Sequence, residues 1–178
     1  MTEALDASGM QRTIRRLAHE IVEATQGVEH IRLVGIHTGG VHLARRLSRI
    51  IGDIEQACPL VGDLDITLYR DDLYTGLEKP VLGETRMPFA VDGATLVLVD
   101  DVLFTGRTVR AALDLIMDYG RPACIKLAVL VDRGHRELPV AADFVGRRLE
   151  TDKGDRVTVA FVEDGSERDQ ITVEARPA

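Results

Sequence analysis

An apolar run that ends in two carboxylates is the feature that most constrains the fold of this chain. The residues from Thr95 to Val99 are all apolar or β-branched, which is typical of a strand buried on both faces of a parallel sheet. Asp100 and Asp101 follow at once, and after a short loop the segment from Val109 to Met117 has the apolar spacing of a helix. Open α/β sheets bind ligands at such junctions, because the carboxyl ends of their strands meet at one edge. The sequence therefore predicts an α/β fold with a site at this junction.

The loop at this junction has the chemistry of a phosphate site. Gly106 permits a positive φ and the close approach of a ligand. The amides of residues 104–108 and the helix N-terminus favour an anion, and the hydroxyls of Thr105 and Thr108 add donors. Because the two carboxylates repel a phosphate, we expect them to serve vicinal hydroxyls or a hydrated Mg²⁺ beside it. A ribose 5-phosphate meets these demands; a solvated acidic turn before a capped helix is the alternative.

The stretch from Val97 to Thr108, VLVDDVLFTGRT, resembles the phosphoribosyl pyrophosphate (PRPP) motif of type I phosphoribosyltransferases. Within that superfamily the chain is most similar to the PyrR family, pyrimidine-operon regulators that are also uracil phosphoribosyltransferases. The PRPP motif alone indicates the superfamily, whereas Leu68 to Asp72 (LYRDD) and Asp132 to Pro139 (DRGHRELP) resemble the PyrR family more specifically. Arg16 to Glu20 and Leu33 to Ile36 agree with it as well.

The resemblance implies a type I phosphoribosyltransferase fold and a defined reaction. The expected fold is a central, mostly parallel sheet flanked by helices, in a single domain over residues 1–178, with a flexible arm at about 70–90 and a small hood at about 132–156. The expected reaction joins N1 of uracil to C1 of the ribose of PRPP and gives UMP and pyrophosphate. Mg²⁺ is expected to bind through PRPP, without a direct protein ligand.

The resemblance also assigns site residues. The catalytic residues are Asp100, Asp101 and Arg70. PRPP and UMP are expected to contact two segments, the pyrophosphate loop and the PRPP motif. The residues of the pyrophosphate loop are Thr38, Gly39 and Gly40. Those of the PRPP motif are Asp100, Asp101, Val102, Leu103, Phe104, Thr105, Gly106, Arg107 and Thr108. The base pocket is expected to consist of Val131, Asp132, Arg133, Phe144 and Val145, with Phe144 stacked on the base. Without the resemblance, Phe144 is interpreted as a core residue.

Two residues depart from the family pattern. Gly39 stands where the family usually has arginine, so a cation that would neutralise the leaving pyrophosphate is absent from this position. Phe104 stands where PyrR-type members usually have tyrosine and 6-oxopurine enzymes have aspartate. Because a phenyl ring cannot accept a proton, Phe104 disfavours a purine substrate. These departures leave two alternatives open: an RNA-binding regulator with weak or lost catalysis, and a phosphoribosyltransferase for another base without an RNA role.

A basic stripe points to the regulatory function. Residues 10–26 have helical spacing, Gly27 is placed to end the helix, and the stripe lies opposite the apolar side. The stripe is either a solvated face or, as the resemblance implies, a surface for a pyrimidine-operon leader RNA whose binding responds to UMP. The residues predicted to contact RNA are Arg12, Arg15, Arg16, His19, Arg133, His135, Arg136 and Lys153.

The remaining patterns set bounds. Strands are predicted over 31–36, 64–69 and 123–131, and residues 143–146 as a short strand or hood. A net charge of −7 argues against indiscriminate nucleic-acid binding. No apolar run approaches the ~20 residues that span a membrane, and the acidic N-terminus lacks the features of a signal peptide. We therefore expect a cytoplasmic protein without a membrane role, and by the resemblance a homo-oligomer, dimeric or larger.

Overall fold

The computed structural model describes residues 2–69 and 83–175. Its centre is a five-stranded sheet in which every neighbouring pair is parallel and the order is β3-β2-β4-β5-β6. The strands are β2 (Ile31–Ile36), β3 (Leu60–Leu64), β4 (Thr95–Leu103), β5 (Cys124–Asp132) and β6 (Phe144–Arg148). The predicted α/β architecture with a central parallel sheet is confirmed.

Three helices cover both faces of this sheet: α1 (Ala7–Thr25), α2 (Gly39–Glu55) and α3 (Arg107–Tyr119). Successive strand residues point to opposite faces. Leu33 and Val97 therefore belong to the core that includes α1 and α2, whereas Val34 and Leu98 belong to the core under α3. This two-sided burial explains the uninterrupted apolar run before the acidic pair. None of these helices is long and apolar enough to cross a bilayer.

A second, antiparallel sheet joins the two ends of the chain. It contains β1 (Thr2–Leu5), β7 (Arg156–Ala160) and β8 (Gln170–Glu174) in the order β1-β8-β7. The buried side chains of Phe161 and Ile171 tie this sheet to the core of α1 and α2. The range predicted as a hood, 132–156, contains β6, the edge strand of the main sheet. The bounds of a hood and the single-domain assignment stay predictions.

Helix α1 begins and ends earlier than its apolar spacing predicts. It begins at Ala7 because Asp6 caps it, with Oδ1 accepting the N–H of Gly9 at 2.7 Å. It ends at Thr25, and the left-handed residue that closes it is Gln26, with φ of 54°, rather than Gly27.

Two strand predictions are corrected by local hydrogen bonds. The strand predicted over 64–69 is wrong, because β3 ends at Leu64 and a 3₁₀ turn spans Thr67–Tyr69. The carboxylate of Asp65 accepts the N–H of Thr67 at 2.9 Å, which turns the chain out of the sheet. Strand β4 does not stop at Val99, since its pairing with β5 continues to Leu103. The acidic pair therefore lies within the strand.

Candidate functional site

A cavity of about 520 Å³ opens at the carboxyl edge of the parallel sheet. Five segments line it: the turn between β2 and α2, the residues after β3, Gly83, the end of β4 and the first turn of α3. Its lining residues are His37, Thr38, Asp65, Ile66, Thr67, Gly83, Asp100, Asp101, Val102 and Thr108. This position matches the site that the sequence predicts at the junction of β4 and α3.

The two carboxyl groups of β4 are in an unfavourable environment for negative charge. Asp100 is 5% exposed, and burial together with the adjacent Asp101 raises its pKa well above the usual value. Burial also raises the pKa of Asp101, although its Oδ1 accepts the N–H of Val102 at 2.8 Å. Both groups therefore favour a ligand that supplies hydroxyl donors or positive charge.

The turn between β2 and α2 passes directly against these carboxyl groups. The peptide bond between His37 and Thr38 is cis. A Cβ added at Gly39 would lie 2.7 Å from Cγ of Asp101, and one added at Gly40 would lie 3.1 Å from Cα of Asp100. A side chain at position 39 would therefore displace Asp101, which gives a physical reason for glycine at this departure from the family pattern. Thr38, Gly39 and Gly40 lie beside Asp100 and Asp101, as predicted.

The loop after β4 has a defined conformation because another segment holds its carbonyl groups. Gly106 has φ of 93°, and α3 begins at the next residue. The carbonyl of Leu103 accepts the N–H of Arg133 at 3.1 Å. The carbonyl of Thr105 accepts the N–H groups of Glu137 and Leu138 at 2.9 and 3.1 Å. The predicted phosphate loop is thus attached to the chain that follows β5.

Sequence reasoning missed the contribution of the segment after β3. Burial opposes the charge of Asp65, but hydrogen bonds from Thr67 and Gly83 outweigh it and lower the pKa of this carboxyl group. Asp65 follows a parallel strand directly, and a carboxylate in that place points to the same sheet edge as the acidic pair. The prediction of one continuous strand over residues 64–69 hides that signal.

Burial contradicts the stacking role predicted for Phe144, whereas the contribution of Val131, Asp132 and Val145 to a base pocket stays a prediction. Phe144 is 6% exposed and packs in the core that contains α1, because the first residue of β6 points to that face of the sheet. It therefore cannot stack on a ligand at the carboxyl edge. The side chain of Val131 is completely buried. Val145 is partly buried on the α3 side of the sheet, and Asp132 accepts the N–H of Gly134 at 3.0 Å.

Arg133 belongs to the interior. It is 5% exposed, and its guanidinium lies 4.2 Å from the ring centroid of Phe104. It also donates to the carbonyls of Asp152 and Asp155, at 2.7 Å each. The prediction that Arg133 contacts RNA is contradicted, since its charged group is not available at the surface. The ring of His135 meets Phe104 edge-on, with 6.2 Å between centroids.

The basic stripe is on the surface, as its helical spacing predicts. Arg12, Arg15, Arg16 and His19 are all exposed on α1. Arg16 differs from the others because its guanidinium donates to the carbonyls of Val145 and Gly146 on edge strand β6 and pairs with Glu20.

The second group of predicted RNA contacts lies after β5 and is more constrained. Lys153 is exposed and pairs with Glu137 at 2.9 Å. His135 is partly buried, with Nε2 2.6 Å from the carbonyl oxygen of Thr151. Each nitrogen of the Arg136 guanidinium donates a hydrogen bond to an oxygen atom of the protein, so this group is not free to contact RNA.

Arg70 and most of the predicted arm lie outside the described residues. The part that is described returns beside β3, where Asp63 and Arg86 exchange two backbone hydrogen bonds of 2.8 and 2.7 Å. Across residues 2–69 and 83–175, no group of three or more histidine, cysteine or acidic side chains is arranged to hold a metal ion.

Comparison with known proteins identifies the family. The profile of the phosphoribosyl transferase domain matches residues 1–161. The chain is 56% identical over 160 residues to the Bifunctional protein PyrR of Geobacter sulfurreducens, which covers 90% of each protein. The chain belongs to the PyrR family. The PyrR protein of Thermus thermophilus is 54% identical over 170 residues, covering 95% of this chain and 94% of that protein.

A solved structure supports the fold of this chain. The crystal structure of the hypoxanthine phosphoribosyltransferase of Trypanosoma cruzi is similar with a TM-score of 0.72, covering 100% of this chain and 98% of that one. The identity is 17%, so this likeness shows the fold alone. The predicted type I phosphoribosyltransferase fold is confirmed.

Proposed function

We propose that this chain transfers the ribose 5-phosphate of PRPP to uracil, forming UMP and pyrophosphate, and that it regulates pyrimidine genes by binding their leader RNA in response to UMP. The observation that carries the enzymatic part is the buried pair Asp100 and Asp101 in the wall of a cavity beside a phosphate-type loop. The similarity to proteins named Bifunctional protein PyrR supports both parts.

The segments around the cavity supply a contact for each part of PRPP. The loop from Phe104 to Thr108 and the start of α3 bind the 5-phosphate, because the first N–H groups of a helix have no intrahelical acceptor. The turn from Thr38 to Gly40 binds the pyrophosphate through its backbone. Asp100 and Asp101 accept hydrogen bonds from the ribose hydroxyls.

The chemical step exchanges one bond at ribose C1 for another. The bond from C1 to the pyrophosphate oxygen breaks and its electron pair stays on that oxygen, N1 of uracil bonds to C1, and the N1 proton is released to water. Positive charge develops on the ribose ring in the transition state, so the nearby carboxylates stabilise it electrostatically. Phe104 offers no proton acceptor to a purine, which favours uracil as the base.

The acidic pair also fits a Mg²⁺ ion bound through PRPP. The raised pKa values of Asp100 and Asp101 reflect buried carboxyl groups without a counter-ion, and a hydrated Mg²⁺ held by PRPP would supply positive charge beside them. When bound, Mg²⁺ would offset the negative charge of the leaving pyrophosphate.

The regulatory part rests on the exposed stripe of α1. Phosphate contacts from Arg12, Arg15, Arg16 and His19 provide affinity, and unstacked loop bases provide sequence specificity. Lys153 and His135 are secondary candidates, whereas Arg133 and Arg136 are excluded because the protein occupies their guanidinium groups. We further propose that the protein acts in the cytoplasm as a homo-oligomer.

The enzymatic proposal is tested by an assay for UMP from uracil and PRPP. Asp101→Asn keeps the size of the side chain and an oxygen for the N–H of Val102, but removes the charge. We expect turnover to fall by roughly 10²-fold with little change in folding. Asp114→Asn is the matched control, since Asp114 is 53% exposed on α3.

Each result of this assay distinguishes between hypotheses. Unchanged kinetics in Asp101→Asn would remove the acidic pair from the mechanism. Product from hypoxanthine but not from uracil would indicate a phosphoribosyltransferase for another base. Leader-RNA binding by a protein that forms no UMP would leave a regulator without catalysis.

A further inference from the structure

Arg136 occupies the space between the phosphate loop and the chain that follows β5. Its side chain is 22% exposed, and Nη2 pairs with Oδ1 of Asp132 at 2.6 Å. Nε donates to the carbonyl of Val140 at 3.1 Å, and Nη1 to those of Phe104 and Gly134 at 2.7 and 3.0 Å. The guanidinium is therefore held in one orientation by acceptors on several sides.

The bond to Phe104 has a specific consequence for the loop. The carbonyls of Leu103 and Thr105 accept backbone N–H groups of the segment 133–138. The carbonyl of Phe104 accepts Nη1 of Arg136 at 2.7 Å, and the same nitrogen also donates to the carbonyl of Leu103 at 3.4 Å. In a planar trans peptide unit the C=O and the following N–H point in opposite directions. Holding the carbonyl of Phe104 toward Arg136 therefore directs the N–H of Thr105 away from it. The orientation of this peptide depends on one side chain.

We propose that Arg136 is a positioning residue for PRPP: it fixes the Phe104–Thr105 peptide so that the loop presents its amide to the 5-phosphate. This inference rests on the proposed function and adds a residue that acts through the loop without touching substrate. Arginine is required, because its planar fork reaches acceptors in several directions, whereas a lysine ammonium is a single point. The backbone hydrogen bonds from Arg133, Glu137 and Leu138 do not involve the Arg136 side chain, so we expect them to hold the loop to this segment when Arg136 is replaced.

The test compares Arg136→Ala and Arg136→Lys with the control Arg148→Ala, which removes an exposed arginine from β6. We expect the KM for PRPP and its dissociation constant, measured by calorimetry, to rise about tenfold or more in both Arg136 variants, while the KM for uracil at saturating PRPP changes little. Lysine should not restore PRPP affinity. Added guanidinium ion at low concentration should restore it in Arg136→Ala, whereas ammonium ion should not. A loss of stability alone would produce no such selective rescue.

The outcomes separate this inference from the proposed function. Unchanged PRPP affinity in Arg136→Ala, or full recovery in Arg136→Lys, would overturn the positioning role while leaving uracil transfer intact. If Arg136→Ala does not fold, the PRPP affinity of Arg136→Lys, which retains the charge, decides between the two outcomes. Weaker PRPP binding in a protein that makes no UMP would support the positioning role and overturn uracil transfer. Failure of the unsubstituted protein to bind PRPP would overturn both.

Discussion

At the residue scale, the acidic pair of β4 is proposed to bind substrate, and its burial lowers the stability of the folded protein. Asp100 is nearly inaccessible to water and lies next to a second carboxyl group. Its charge is therefore more stable in the unfolded chain than in the folded protein, which is what the raised pKa expresses. A residue that disfavours folding in this way is typical of a ligand site rather than of a structural core.

Asp100→Asn should therefore stabilise the unliganded protein at neutral pH while reducing UMP synthesis. Because the folded pKa is raised, the folded state binds the proton more tightly, and stability falls as pH rises from the unfolded value through the folded one. The gain amounts to about 1.4 kcal/mol for each unit by which the pKa is raised. Thermal unfolding followed by circular dichroism at about pH 8 and about pH 4 measures it, since the difference should vanish near the unfolded pKa of roughly 4.

The control for this measurement is again Asp114→Asn, whose carboxyl group is exposed on α3. It should shift the unfolding temperature little at either pH. Equal or lower stability of Asp100→Asn at about pH 8 would show that the carboxylate is better accommodated than its burial indicates.

At the scale of a single element, α1 has two faces with separate roles. Ile14, Leu17 and Ile21 are buried against the main sheet, so they hold the helix in place. The opposite face carries the basic stripe. Within it, Arg16 is bound to the carbonyls of β6, so its replacement would also disturb an edge strand. Arg15 is exposed, which makes it the cleaner probe of RNA binding.

Arg15→Gln should weaken binding to a pyrimidine-operon leader RNA and reduce its salt dependence. Removal of one phosphate contact should lower the slope of log affinity against log salt by roughly 0.7 to 0.9. Filter binding or fluorescence anisotropy over a range of salt concentrations, with and without UMP, measures both quantities. Arg168→Gln makes the same charge change on a 62% exposed side chain away from the stripe. Identical salt slopes in the two variants would show that the stripe is a solvated helix face without a phosphate contact.

At the scale of the whole molecule, Arg46 connects α2 to the chain before the last strand of the small sheet. Its guanidinium pairs with Glu163 and with Asp169, the latter at 2.5 Å, and lies 5.0 Å from the ring centroid of Phe161. Hydrogen bonds from Arg46 lower the pKa of both carboxyl groups despite their partial burial. This contact joins α2 to the connection between β7 and β8, next to the buried residues of α1 and α2.

Arg46→Met should destabilise the protein by about 1–3 kcal/mol at neutral pH, because it leaves two partly buried carboxylates without a cation. Since these groups have depressed folded pKa values, their contribution is present above the unfolded value of roughly 4 and is lost as pH falls through the folded values. Urea unfolding at neutral and acidic pH measures the change.

Arg45→Met provides the comparison on the same helix. Arg45 is 51% exposed and pairs with Asp63, so its replacement should cost less than about 1 kcal/mol. If the two substitutions lower the free energy of unfolding equally, the contacts of Arg46 add no more stability than an exposed ion pair.

Local patterns in the sequence were enough to predict the central strand, the first helix and the chemistry of the phosphate loop. The apolar run before Asp100, the glycine at 106 and the spacing of α1 express periodicity and backbone preferences, which depend on neighbours along the chain. The tertiary structure shows which face of the sheet each side chain lies on and which groups contact it there. It placed Phe144 in the core, enclosed Arg133, brought Asp65 to the cavity and set Arg136 behind the phosphate loop. The enclosure of Arg133 and the placement of Arg136 depend on contacts between residues far apart in sequence, which no local pattern encodes.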